Sequence, residues 1–201
     1  MTPAIRSAAA VAALGLMLVM AACGQEGEQA PERQALETYV GEVEGSRALV
    51  AVITDGDRMS GFVTDGKRYA KWFATAEIDD DGKATLVARD GFQLGEVTIS
   101  DETASGEVTV GLGEEAFEAE LATGDAGLFT AAEAKGQDSF EAGWVVLPDG
   151  RTLGTYDTNI DEKFTTRPAP ELKPTVDIRG FGAQAPAQHS SLFLDANVQA
   201  P

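Results

Sequence analysis

Between Tyr39 and Tyr156 apolar and polar side chains alternate in short runs. In EVTVGL, Val108, Val110 and Leu112 fall on one side of an extended backbone and Glu107 and Thr109 on the other. AFEAEL repeats the arrangement, with Phe117, Ala119 and Leu121 set against Glu118 and Glu120. Successive side chains of a strand point to opposite faces, so these runs predict strands with one dry and one wet face. Two segments depart from this. RALVAVIT, residues 47–54, is almost continuously apolar and rich in β-branched residues, which predicts a strand buried on both faces rather than a short helix. In FEAGWVVL, Phe140, Ala142, Trp144 and Val146 share a face while Val145 and Leu147 make the opposite face apolar, so this strand too is expected to be covered on both sides.

The turns support strands by a separate mechanism, since Asp-Gly pairs supply the positive φ angles that tight hairpins need. Such pairs stand at Asp55-Gly56, Asp65-Gly66, Asp81-Gly82, Asp90-Gly91 and Asp149-Gly150, and further turns are expected at 102–106, 113–115, 124–127 and 136–139. Strand-sized pieces then fall at 39–44, 47–54, 58–64, 68–78, 84–89, 92–99, 106–112, 116–122, 127–134, 140–147 and 151–156. An antiparallel meander of about nine to eleven strands is too large for one open twisted sheet, so the expected class is all-β and the expected form an up-and-down β-barrel, with a β-sandwich as the alternative. Gly95, inside FQLGEV, predicts a bulge at which Phe92 and Leu94 hand the inward face to Val97 and Ile99.

The flanks have a different texture, giving four regions. Residues 1–22 read as a signal peptide, with Arg6 and the amino terminus as cationic region and an uncharged run at 7–22 ending in small residues. Cys23, the sole cysteine, follows Val19-Met20-Ala21-Ala22 directly. This resembles the lipobox of bacterial lipoproteins, whose cysteine takes a diacylglyceryl thioether and becomes the new N-terminus. Met20 departs from the pattern, standing where Leu is commonest. A spanning anchor needs about 20 apolar residues, more than this run offers, and no basic flank follows it. Cleavage by an ordinary signal peptidase is the other alternative, against which stands the bulk of Met20. Residues 23–38 form the lipidated terminus and a polar, charged spacer, with too little apolar surface to offset the entropy of ordering. The β-domain occupies 39–157. Residues 158–201 are a Pro/Ala/Gln-rich tail expected to be irregular, with two apolar islands at 176–181 and 192–198 that dock on the domain, the preferred reading, or on a partner; in cis such a tail caps a barrel mouth or adds a strand to its edge.

Charge narrows the partners. Fifteen Lys and Arg against 33 Asp and Glu give −18, and removal of Arg6 with residues 1–22 makes the chain more negative by one. No basic run neutralises a row of phosphates, which excludes nucleic acid and electrostatic adsorption to anionic lipid. Membrane affinity is therefore assigned to the lipid on Cys23. One cysteine forms no intramolecular disulfide, so stability falls to a hydrophobic core, for which a 43% hydrophobic fraction suffices.

Catalytic, cofactor and metal residues are assigned as none. The only histidine, His189, lies in the tail within AQHSS, without a nucleophile motif. Asp79-Asp80-Asp81-Gly82 lacks the spacing of a calcium loop and reads as a turn. Gly111, Gly113 and Ala116 match a dinucleotide string without the helix it requires, and Gly180, Gly182 and Ala185 fail likewise. Carboxylates are plentiful but fall at turns and on outward strand positions. Among the aromatics Tyr69, Trp72, Phe73 and Trp144, core filling is the default reading. Trp72 and Trp144 are the candidate ligand-lining residues, because Trp72 and Phe73 point to opposite faces and one of them lines a cavity or surface patch.

Residues 121–154, LATGDAGLFTAAEAKGQDSFEAGWVVLPDGRTLG, are similar to a small β-domain in exported proteins of high-GC bacteria, with Thr123–Leu128 and Gly143–Gly150 the most distinctive pieces. The resemblance implies export and a β fold, and carries no site across. The expected function is an exported lipoprotein, anchored to the cell or outer membrane, whose non-enzymatic β-domain binds an envelope protein, a glycan or a small ligand. A lipocalin-like carrier of an apolar molecule and a carboxylate-dependent surface hydrolase are the alternatives. An apolar cavity inside the barrel would favour the first of these, and a cleft with convergent acids the second.

Overall fold

Each alternating run becomes a strand, and no helix occurs among the described residues. The computed structural model describes residues 36–88, 91, 93–110, 113–178, 181, 183–184 and 186–188. Cys23 with the expected signal peptide and residues 23–35 of the expected spacer, Asp90, Phe92, Gly111, Leu112, the string Gly180, Gly182 and Ala185, His189 and the island at 192–198 lie outside them.

Strands β1 (Glu37–Val43), β2 (Leu49–Thr54), β3 (Arg58–Thr64), β4 (Ala70–Glu77), β5 (Lys83–Val87), β6 (Gln93–Ser100), β7 (Thr103–Val110) and β8 (Gly113–Leu121) form one antiparallel sheet in the order β4-β3-β2-β1-β8-β7-β6-β5. Its two ends meet through an antiparallel bridge between Phe73 and Ala88. Sequence neighbours are thus spatial neighbours around the whole circuit, an up-and-down barrel nearly closed at the β4/β5 seam.

The barrel takes eight strands and not nine to eleven. The rest, β9 (Gly127–Lys135), β10 (Asp138–Val146), β11 (Thr152–Ile160), β12 (Lys163–Pro168) and the short β15 (Ala187–Gln188), form a second sheet ordered β12-β11-β10-β9-β15. Eight strands already enclose an interior that side chains fill, and β10 carries apolar residues on both faces, which suits a layer sandwiched between two others.

Three apolar clusters follow. Tyr39, Val50, Val52, Met59, Phe73, Leu86, Val97, Val108 and Phe117 fill the barrel. Val40, Ala51, Ile53, Phe62 and Trp72 on the outside of the wall pack against Leu128, Val145 and Leu147 of the second sheet. On that sheet's far side, Phe140, Ala142, Trp144 and Tyr156 meet Val176, Ile178 and Phe181 from the tail. Burying such side chains stabilises by about 1.5–3 kcal/mol apiece. Both faces of β10 are covered, and all six residues of β2 are buried. The Trp72/Phe73 alternation resolves with Phe73 inside the barrel and Trp72 outside.

Turn chemistry matches the residues. Gly56, Gly66, Gly82, Gly91 and Gly150 have φ of 91, 68, 77, 82 and 84°. Asp55, Asp65 and Asp149 accept backbone N–H bonds at their turns, Asp65 Oδ1 taking those of Lys67, Arg68 and Tyr69 at 2.7, 3.0 and 2.9 Å. At Gly95 (φ 106°) the β5/β6 register slips between Leu86 and Val87, the expected bulge. Two predicted turns extend into strands, since Glu102 lies in a turn but β7 begins at Thr103, and β8 begins at Gly113. Gly106 serves close approach, since a Cβ there would stand 2.7 Å from the Glu96 carbonyl oxygen.

The tail is more regular than expected. β11 runs to Ile160, and Asp161 (φ 51°) and Glu162 (φ 61°) make a two-residue turn into β12. Val176, Ile178 and Phe181 dock in cis, β13 (Val176–Asp177) pairs with β14 (Ala183–Gln184), and β15 adds itself to the edge of β9.

Candidate functional site

Where the second sheet meets the barrel, two aromatic side chains find seats made by glycine. Phe62 and Trp72 stack with centroids 3.8 Å apart, and a Cβ on Gly143 would lie 2.5 Å from Trp72 Cη2 and 2.9 Å from Phe62 Cε1. Gly143 is thus the gap through which the barrel's indole reaches the sheet. On the sheet's other face Trp144 lies over Gly154, its partner in register, and donates from Nε1 to the Pro170 carbonyl at 2.8 Å. A buried hydroxyl pair, Thr64 with Thr155 at 3.0 Å, joins barrel to sheet beside the Trp72 seat.

Beyond that seat the two layers enclose a cleft of about 450 Å³, lined by Ala70, Lys71 and Trp72 of β4, Ala88 at the seam, Glu141, Asp157 and Phe164–Thr166. Register explains its wall. Glu141 stands opposite Asp157, and Asp157 opposite Thr166, so three strands contribute one row of polar side chains. Thr166 Oγ1 donates to Asp157 Oδ1 at 2.5 Å. The next row outward runs Ser139, Asn159, Phe164. Asn159 Oδ1 is buried without a hydrogen-bond partner, and Phe164 is 79% exposed at the lip. The cleft therefore offers carboxylates, hydroxyls and a cation on its walls, buried indole at its apex and an aromatic ring at its mouth. That set suits reversible binding of an amphipathic ligand.

Two other surface features resolve into structure. Asp79 Oδ1 accepts the amides of Asp81 and Lys83, both at 2.9 Å, so the Asp79–Asp81 run caps its own turn. Among the described residues no group of three or more His, Cys, Asp and Glu side chains is placed to hold a metal ion. Glu42, opposite Glu118 in register, binds Arg151 at 2.5 Å, and Arg151 also holds Asp149 at 2.6 Å. Hydrogen bonds to Arg151 lower the carboxyls of Glu42 and Asp149, and these partners raise the guanidinium. Inside the barrel, burial pushes the Tyr39 phenol up to about 12, reinforced by its hydrogen bond to Glu37. Tyr69 donates its hydroxyl to the Thr109 carbonyl, across the circuit of the barrel.

Of the sequence candidates, Trp72 borders the cleft with 6% of its surface free, and Trp144 borders a separate groove beside Pro170 and Leu172. They lie on opposite faces of the second sheet and share no site. Gly113 and Ala116 sit in strand β8, not at a helix start. Lys71, Glu141, Asp157, Phe164 and Thr166 were not singled out, because cross-strand register brings them together and their spacing in the chain carries no motif. Compared with known proteins, the chain matches no family model, no curated protein and no solved structure.

Proposed function

We propose that the chain is an exported lipoprotein, anchored through Cys23, whose β-domain binds a protein, glycan or small ligand on its outer surface without catalysis. The observation that carries this reading is the division of space. The inward side chains of the barrel pack into one apolar cluster, whereas the cleft with mixed chemistry lies outside, between wall and second sheet. An internal carrier needs the opposite arrangement. The arrangement around Cys23, a cationic start and an uncharged run ending in Ala21-Ala22, supports the anchor. Intact mass and detergent partitioning of the protein from a bacterial host test it. The expected mass begins at Cys23 with added diacylglycerol, and Cys23→Ser abolishes partitioning; an unmodified wild type that stays aqueous refutes the anchor.

One observation favours a second reading, a carboxylate-dependent glycosidase. Glu141 and Asp157 stand directly opposite each other in register and both line the cleft, the convergence of two acids that carboxylate-dependent hydrolysis needs. Hydrolysis of aryl glycosides that Glu141→Gln abolishes supports it; an inert wild type excludes it for those substrates.

A further inference from the structure

The two edges of the second sheet are treated differently. The chain covers β9 with its own β15, whereas among the described residues β12 has a partner on one side only. The two-residue Asp161-Glu162 turn fixes which backbone groups this leaves open. Ile160 and Lys163 flank the turn as a hydrogen-bonded pair, so the pairs Asn159/Phe164 and Asp157/Thr166 are of the non-hydrogen-bonded kind. The N–H and C=O of Phe164 and Thr166 therefore point away from β11, as a docking strand requires. Pro168, which lacks an N–H, stands in the same phase and ends the competent stretch.

We infer that the outer edge of β12 captures an extended segment of another polypeptide in which apolar and acidic residues alternate. Side chains decide the occupant. On the cleft-facing side an added strand meets Phe164, whose ring is 79% exposed; apolar residues pair best with the ring. On the other side it meets Lys163, Thr165 and Arg167, two cations without an acid in the strand, which calls for Glu or Asp directly opposite. A second copy of the chain is the poorer fit. Antiparallel β12 on β12, centred on Thr165 so that Phe164 and Thr166 both pair, sets Lys163 against Arg167. Main-chain bonds supply affinity in such strand addition, and alternate side chains supply specificity.

The inference rests on the domain being a binding module and is independent of the anchor, which Cys23→Ser tests separately. The full-length protein in detergent is titrated with fluorescein-labelled EVEVEVEV, followed by anisotropy, with TVTVTVTV as the uncharged counterpart. The acidic peptide should bind, more tightly than its counterpart by about threefold or more at low salt, and the difference should shrink at high salt. Phe164→Ser, at an exposed position where folding is not at stake, should weaken binding about tenfold, and Thr166→Pro, which removes an outward N–H, should abolish it. Equal affinity for both peptides at low salt overturns the acidic partner. No binding, or binding that neither variant changes, overturns the site. Sedimentation showing a dimer that Thr166→Pro dissolves assigns the edge to a second copy. Binding seen only after removal of residues 189–201 assigns it to the chain's own tail. Either assignment refutes the proposal.

Discussion

Strands β2 and β7 belong to one barrel and make similar contributions to its interior, Val50 and Val52 from one, Ala104 and Val108 from the other. Their outer faces differ. Leu49, Ala51 and Ile53 of β2 are covered by the second sheet, while Ser105 and Glu107 of β7 face water. The same division holds for β3 against β8, where Phe62 packs outward beneath the sheet and Glu118 and Glu120 are exposed. The comparison teaches that the alternation in a strand reports what lies on both sides of the wall. A barrel strand that reads as continuously apolar names the half of the wall that something else covers. Here the cover belongs to the same chain, and its incomplete fit at the far end leaves the cleft.

Removing the contact that holds cover to wall is the strongest way to break this difference. Trp72→Ala deletes the indole between Phe62 and Gly143 and should cost about 3–5 kcal/mol in urea unfolding. The reverse change, Gly143→Val, leaves the indole and fills its seat. A Cβ 2.5 Å from Trp72 Cη2 forces the layers apart, and overpacking of this kind costs about 1–3 kcal/mol. Both should expose β2 and β3 to hydrogen exchange more than β7 and β8. Equal loss of protection on all four strands would show that the layers do not separate from the barrel.

This double burial was legible in the residues. RALVAVIT and FEAGWVVL broke the alternation at the two strands now seen between layers, and Asp-Gly pairs marked the hairpins. What escaped was of two kinds. The turn into β12 uses Asp161 and Glu162 at positive φ, where glycine is the usual signal. KFTTRP was therefore assigned to an irregular tail, with Phe164 inside it. The cleft escaped because it is a product of register. Glu141, Asp157 and Thr166 become neighbours only once β10, β11 and β12 are aligned, and a slip of one residue would send each to the opposite face. Likewise, alternation showed that Trp72 and Phe73 part company without showing which enters the barrel.

Acid should act on the covered half through its turns. At Asp65 burial raises the carboxyl, but N–H bonds from Tyr69, Lys67 and Arg68 outweigh it and hold the group below its usual range. Asp55 behaves alike, with Arg58 as the chief donor against burial. A carboxyl lowered by folding contributes stability that is fully present above its unfolded value, about 4, and is lost as pH falls through the folded value. Asp65→Asn keeps an acceptor oxygen and removes the titration. It should lower stability slightly at neutral pH and flatten the decline below about pH 4. An unchanged acid slope would place the titrating groups elsewhere.

The smallest effect belongs to the bare half. Glu42 and Glu118 oppose each other across β1 and β8, a like-charge pairing that disfavours the sheet. Arg151, at the β10/β11 turn, binds Glu42 and so sets one cation from the cover beside two acids of the wall. All three are exposed, and ion pairs of this kind contribute little, so Arg151→Ala should move Tm by no more than about 2 °C. Its salt dependence should be the clearer signal. With Arg151 gone, repulsion between Glu42 and Glu118 is uncompensated, and added salt should stabilise the variant more than the wild type. Parallel salt responses would mean that the wall tolerates its acids unaided, leaving Arg151 to order only its own turn through Asp149.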